Sequence, residues 1–531
     1  MALNLLRKSQ ELFIFLTIRI LLLVFRLISH FKASPSAASR RLPPVRDPLL
    51  LLPATQLARK IRRREVSSVE VVQAYIDRIQ EVNPLINAVV KDRFAAALQE
   101  ATQVDKLIEE EKGGEDVLED RLPLLGVPVS IKESFAVQGM PNATGLISRR
   151  EFVSTSDAVL VALLKRAGAI PLGVTNTSEL CMWAESNNHL YGIARNPYDL
   201  NRTPGGSSGG EGSILGAAGA VIGVGSDIGG SIRMPAFFNG IFGHKTTPGI
   251  VSNDGQFPPS SGRHLEYVSN GPMCRYADDL LPMLRIMAGP NLKMLSLDMK
   301  VDLKKLRFFT LPDDGGRSLA FPVSSEIKDM QRKMVERLES DLGVRVEEVN
   351  FPELQYSTQI WMTYMSLPDD DGKPPQPFTE LMGEPGPPVK PLWELLKRLL
   401  GMSDHTVAAI GLAISEMANP AAPPPFILQQ KKSLQEKVDK LLGTDGVLFC
   451  PPHPRVAPRH HEPLLRPYDF SYTAIFNILG LPVTQCPLGL SKEGLPLGVQ
   501  VIGGKLQDQV TLAVAIYLEK TFGGWRDPGS I

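Results

Sequence analysis

Two serines set among glycines, Ser207 in GGSSGGEG and Ser231 in DIGGSIRMPA, stand 24 positions apart, with room between them for one short helix and one strand. Glycine accepts positive φ and lets backbone approach a ligand closely, so loops of this composition can bring two hydroxyls to one place. Residues 208–218 read as the helix, 220–226 as a buried strand, and 227–231 as a loop that turns into a second helix beginning near Arg233. Within that loop the consecutive amides of Ile228, Gly229, Gly230 and Ser231 can line one concavity of N–H donors, which is how an oxyanion hole is made. Attack on a carbonyl also needs a base. Lysine is a poor one at its ordinary pKa of about 10.4, but desolvation lowers that value. Lys132 closes the apolar stretch LLGVPVSIK, residues 124–132, where a strand end supplies that desolvation. Ser–Lys is a known form of the nucleophile–base unit.

Each feature alone is ordinary. A glycine–serine cluster is more often a turn than a site, and a lysine after an apolar strand usually marks the return to solvent. Three such segments in order and spacing argue for chemistry, and rival motifs fail on context. Gly205, Ser207 and Gly209 match G-x-S-x-G, but residues 194–204, ARNPYDLNRTP, are polar and broken by proline where a nucleophile elbow needs a buried strand. A phosphate loop is excluded because His244 separates Gly243 from Lys245, and a dinucleotide fingerprint because Ile228 stands where its third glycine belongs.

The three runs together resemble the amidase signature family of serine hydrolases. The resemblance implies Lys132 as base, Ser207 as bridging hydroxyl and Ser231 as nucleophile, with Ser208 and Arg233 as supporting groups, and neither metal nor cofactor. It also implies an α/β fold with a central mixed β-sheet covered by helices on both faces, and it extends over residues 50–525. The segments LCMWAESN and PAFFNGIFGHK point within the family to membrane-bound enzymes that cleave fatty-acid amides. The implied reaction takes primary amides such as oleamide, or N-acyl ethanolamines, to fatty acid and amine through an acyl-enzyme. The same triad serves glutamine and peptide amidases, which the hydrophobic N-terminus disfavours. A catalytically inactive lipid-binding protein of the same fold is the reading from another class, and the three intact residues speak against it.

The rest of the chain must position these groups. Lys plus Arg and Asp plus Glu each number 57, so no net field recruits nucleic acid. The cysteines, at 181, 274, 450 and 486, have neither disulfide-framework nor zinc spacing. Fourteen of the seventeen residues at 12–28 are apolar, interrupted by Arg19 and Arg26. Insertion of such a segment gains roughly 4 to 8 kcal/mol and loses roughly 5 to 7 for the two arginines. Snorkelling of Arg26 favours a single-pass anchor over residues 1–33, in an endomembrane or at a lipid-droplet surface. An interfacial helix, a cleaved signal peptide and an amphipathic core helix are the alternatives. A linker at 34–49 then leads to a catalytic domain at 50–531, for which a homodimer is compatible.

Ser67 and Glu70 predict a capping box opening a helix that runs to Pro84, followed by a strand at 86–90 and a charged helix at 94–111. Ser156 or Asp157 is expected to cap a helix ending near Ala167, before a buried strand at 168–175. The region 289–443 says least about chemistry. Within it, residues 391–402 carry a wide apolar face that is either an ordinary core-facing helix or a membrane-dipping lip admitting lipid substrate. The loop PPHPRVAPRHH, with His453, His460 and His461, reads as solvated. The segments LPVTQCPLG and GLPLGVQVIGG are expected to add strands to the same sheet before a closing helix at 510–521.

Overall fold

A computed structural model describes residues 42–111, 114–314, 319–417 and 423–531. The segment expected as an anchor, 1–33, and the first part of the expected linker, 34–41, lie outside the described residues. Among those described, no helix is long and apolar enough to cross a membrane.

Eleven strands form one sheet. In chain order they are β1 (Val89–Asp92), β2 (Pro128–Lys132), β3 (Ile170–Thr175), β4 (Ile222–Asp227), β5 (Phe242–Lys245), β6 (Ser269–Cys274), β7 (Arg307–Thr310), β8 (Val346–Glu348), β9 (Gly446–Cys450), β10 (Val483–Leu490) and β11 (Pro496–Gly503). Across the sheet the order is β1-β3-β2-β4-β6-β5-β10-β11-β9-β7-β8. Pairing is mixed. β2 runs parallel to both β3 and β4, whereas β6 and β5 are antiparallel to their neighbours and β7 is again parallel to β8 and β9.

Helices cover both faces, as the side-chain alternation requires. Val447 and Phe449 on β9, Phe308 on β7 and Val501 on β11 join the large cluster that includes Ile61, Tyr75, Leu284 and Leu518. Their chain neighbours Leu448, Cys450, Phe309 and Ile502 point the other way, into a second cluster with Leu434, Val438 and Phe476. The expected α/β architecture with a central mixed sheet is therefore present, and β10 and β11 extend it as anticipated.

Local chemistry accounts for the departures. The capping box of Ser67 and Glu70 forms, but the helix Ser68–Ile86 continues through Pro84. Asn83 Oδ1 then accepts from the amides of Ala88 and Val89 at 2.8 Å, so the strand expected at 86–90 starts only at Val89. The helix Val159–Arg166 has no side-chain cap. The Asp157 carboxylate instead receives the Lys165 ammonium and the Gln138 amide. Most of the proline- and histidine-rich loop packs inward, and His461 stays exposed. His453 is buried, its imidazole pushed down to about 3 by desolvation, and His460 Nδ1 lies 2.9 Å from the buried Glu185 carboxylate.

In the helix Pro391–Leu399 the inward group is Glu394, whose carboxylate accepts from Lys397 Nζ at 2.7 Å and Ser403 Oγ at 2.8 Å. The apolar face turns outward, with Leu399 78% and Met402 70% exposed, which overturns the core-facing reading of residues 391–402.

Candidate active site

β2 is buried along its whole length and ends at Lys132, whose side chain is fully enclosed. Lys132 Nζ lies 2.6 Å from Ser207 Oγ and 2.9 Å from Ser226 Oγ. Two neighbouring strands and one loop thus converge on a single amine. β3 sets Thr175 beside Lys132, and β4 pairs Val224 with Ile131 and carries Ser226 just beyond. Burial drives the Lys132 pKa below its ordinary value, against the opposing influence of Cys181, Asp227 and Glu211. An amine in this position gives up its proton more readily than a solvated lysine does.

Ser207 is held from the main chain. Ser186 Oγ donates to the Ser207 carbonyl at 3.0 Å and accepts the Gly209 amide at 2.9 Å, fixing the entry into the helix Gly209–Gly216. That helix is rich in glycine, a poor helix former, because its first turn presses on backbone: a Cβ at Gly210 would lie 2.4 Å from the Asn176 nitrogen. Glu211 on the same helix accepts from Ser130 Oγ at 2.6 Å and Thr175 Oγ1 at 2.7 Å, bolting it to β2 and β3. Burial pushes the Glu211 carboxyl up to about 7.

Ser231 is tied to this segment through Ser208, whose amide donates to the Ser231 carbonyl at 3.2 Å and whose hydroxyl donates to the Ser226 carbonyl at 3.4 Å. The Ser231 hydroxyl has no hydrogen bond to another described residue, so the first link of a Lys–Ser–Ser row is formed and the second is open. Such links commonly tighten only when substrate is bound.

The loop of β4 that leads to Ser231 is shaped by Asp227. Its carboxylate accepts from the Gly230 amide at 2.7 Å, the Ile232 amide at 3.0 Å and the Arg233 guanidinium at 2.9 and 3.0 Å. Burial resists ionisation of Asp227, but the charge and hydrogen bonds of Arg233 outweigh it and hold the carboxyl well below the usual range. The Gly230 amide, expected among the oxyanion donors, is thereby committed to Asp227. The amides of Ile228, Gly229 and Ser231 have no acceptor among the described residues. Gly230 has φ +121°, and a Cβ there would lie 2.1 Å from Thr473 Oγ1, so only glycine fits.

Arg233 is completely buried at the start of the helix Arg233–Phe238 and reaches Thr473, Asn477 and Gln500 as well as Asp227. It acts on the loop through Asp227. Ser226, Asp227, Thr473, Asn477 and Gln500 were not singled out from sequence. The first two stand in the DIGGS neighbourhood and could have been; the others are brought in only by the fold.

The family model for amidases matches residues 70–512. Fatty-acid amide hydrolase 2-A of Danio rerio is 68% identical over 489 residues, covering 92% of each chain. Fatty-acid amide hydrolase 2 of Homo sapiens is 54% identical over 499 residues, covering 93% of each. Among solved structures, a fatty acid amide hydrolase superposes with a TM-score of 0.71 over 90% of this chain and 86% of its own, at 23% identity, a likeness of fold alone.

Proposed function

We propose that this chain, which belongs to the amidase family, hydrolyses fatty-acid amides such as oleamide and N-acyl ethanolamines to fatty acid and amine. The observation that carries the mechanism is the enclosed Lys132 amine 2.6 Å from Ser207 Oγ, with Ser231 strapped alongside through Ser208. The similarity to two hydrolases named for fatty-acid amides favours that substrate class over glutamine or peptide amides.

In this reading neutral Lys132 takes the Ser207 proton while Ser207 takes that of Ser231, and Ser231 Oγ bonds to the amide carbon. The amides of Ile228, Gly229 and Ser231 receive the developing oxyanion. The Lys132 ammonium then returns its proton through Ser207 to the leaving nitrogen, the C–N bond breaks and the amine departs. Water attacks acyl-Ser231 by the same relay, releasing the fatty acid and restoring the hydroxyl. Early protonation of the nitrogen lets an amide compete with an ester.

The outward apolar face of residues 391–402 supports membrane association, with Leu392, Trp393, Leu396, Leu399, Leu400 and Met402 exposed side by side with Lys397 and Arg398. An anchor at 1–33 would act beside it. The activity is tested by hydrolysis of oleamide and an N-acyl ethanolamine by the purified full chain, with Ser231→Ala as control. Turnover by the parent and none by the variant is expected, and equal turnover by both would refute the assignment.

A further inference from the structure

We infer that Trp361, from the middle region that carries no signature residue, is a positioning residue for the oxyanion loop. The inference rests on the reading of Ser231 as nucleophile. Trp361 lies on the helix Ser357–Met365, and its indole Nε1–H donates to the Ile228 carbonyl at 2.9 Å. In a trans peptide the C=O and N–H point in opposite directions. Holding the Ile228 oxygen against the indole therefore aims the N–H of the next residue, Gly229, away from the ring, and Gly229 is one of the three loop amides with no acceptor among the described residues.

The following peptide is clamped as well. Thr473 Oγ1 donates to the Gly229 carbonyl at 2.7 Å, and the Gly230 amide is held by Asp227. Among the described residues, the Ile228 oxygen accepts a hydrogen bond from Trp361 alone. Its ring packs edge-on to Phe470, with centroids 4.9 Å apart. A Cβ at Gly229 would lie 3.5 Å from Phe470 and 3.6 Å from the indole, so the two rings form a wall directly against the loop. Without the indole N–H, the Ile228–Gly229 peptide is free to rotate and must be reorganised at the moment charge develops, which is the cost a preformed oxyanion site avoids.

The test compares Trp361→Phe, which keeps an aromatic ring and loses the donor, with Trp361→His, whose ring N–H can occupy nearly the same position. Thermal melting first establishes that each variant is folded. In Trp361→Phe, kcat for oleamide is expected to fall about 5- to 10-fold with KM within twofold. Inhibition by an alkyl trifluoromethyl ketone, whose adduct with a serine carries an oxyanion, weakens by the same factor, while inhibition by a fatty alcohol of the same chain length, which carries no anionic oxygen, does not change. Trp361→His recovers part of the loss. The inference is overturned if kcat of Trp361→Phe stays within twofold of the parent, if ketone and fatty alcohol weaken equally, or if both variants lose the same amount. Activity surviving in Ser231→Ala would instead overturn the reading of the site on which the inference stands.

Discussion

Replacing Ser226 by alanine tests how the base is tuned. Ser226 Oγ is 2.9 Å from Lys132 Nζ in a fully buried site, and with Ser207 it completes the pair of hydroxyls around that amine. A hydroxyl oxygen can accept from the amine in both protonation states but binds the ammonium more strongly. Hydrogen bonds to charged groups contribute about 1.5–3 kcal/mol and those between neutral groups about 0.5–1.5. The difference, about 1–1.5 kcal/mol, destabilises the ammonium selectively, and 1.36 kcal/mol corresponds to one pKa unit. In the proposed mechanism the deprotonated amine is the active form, so rate rises with pH through the Lys132 pKa, which burial lowers. Ser226→Ala should therefore move the acid limb of kcat/KM for oleamide about one unit toward lower pH. It should also lower the plateau about tenfold, because the ammonium formed in the transition state loses the same support. The assay is a pH–rate profile on oleamide, with melting temperature as the control for folding. An acid limb that stays in place or moves to higher pH would refute the tuning argument.

In Lys132→Ala, amide turnover is expected to fall at least tenfold more than turnover of a matched ester, since the ester leaving group needs no proton; equal losses measured side by side would count against the relay. Leu399→Asp or Met402→Asp is expected to weaken binding to phospholipid vesicles at least about tenfold in a flotation assay, from roughly 1.5–3 kcal/mol of apolar burial per side chain, while turnover of a short soluble amide stays the same. Glu211 has its pKa raised from 4.5 to about 7 by burial, so the folded state holds a proton that the unfolded state has lost across that interval. The contribution of this group to stability is full below pH 4.5 and falls as pH rises toward 7, by an order of 2–3 kcal/mol. Urea unfolding of Glu211→Gln should show its stability relative to the parent improving over that interval, and a constant difference would contradict the assignment.

What was legible in sequence was what the local chain dictates. The Ser67–Glu70 box, the helix–strand pair between Ser207 and Ser231 and the apolar strand ending at Lys132 follow from patterns within twenty-odd residues of one another. The groups that complete the site come from afar. Thr473 and Asn477 are 240 or more positions from Asp227 and Arg233, and Trp361 is 133 from Ile228. No period or motif encodes such a contact. The histidine-rich loop misled because its composition is that of a solvated turn, yet the Glu185 carboxylate draws it inward. The helix at 391–402 was ambiguous in principle: an apolar stripe states that a face avoids water without saying whether protein or lipid covers it. The fate of Glu394, buried on the opposite side against Ser403, decided which way that stripe faces.

In the proposed mechanism an enclosed amine activates Ser231 through Ser207. Treatment of the full-length protein with a fluorophosphonate, followed by peptide mapping in the mass spectrometer, tests it most directly. Modification is expected on Ser231 alone, with a labelling rate that rises with pH in the parent and collapses in both Lys132→Ala and Ser207→Ala. Modification of any other residue, or an unaltered labelling rate in those two variants, would contradict it.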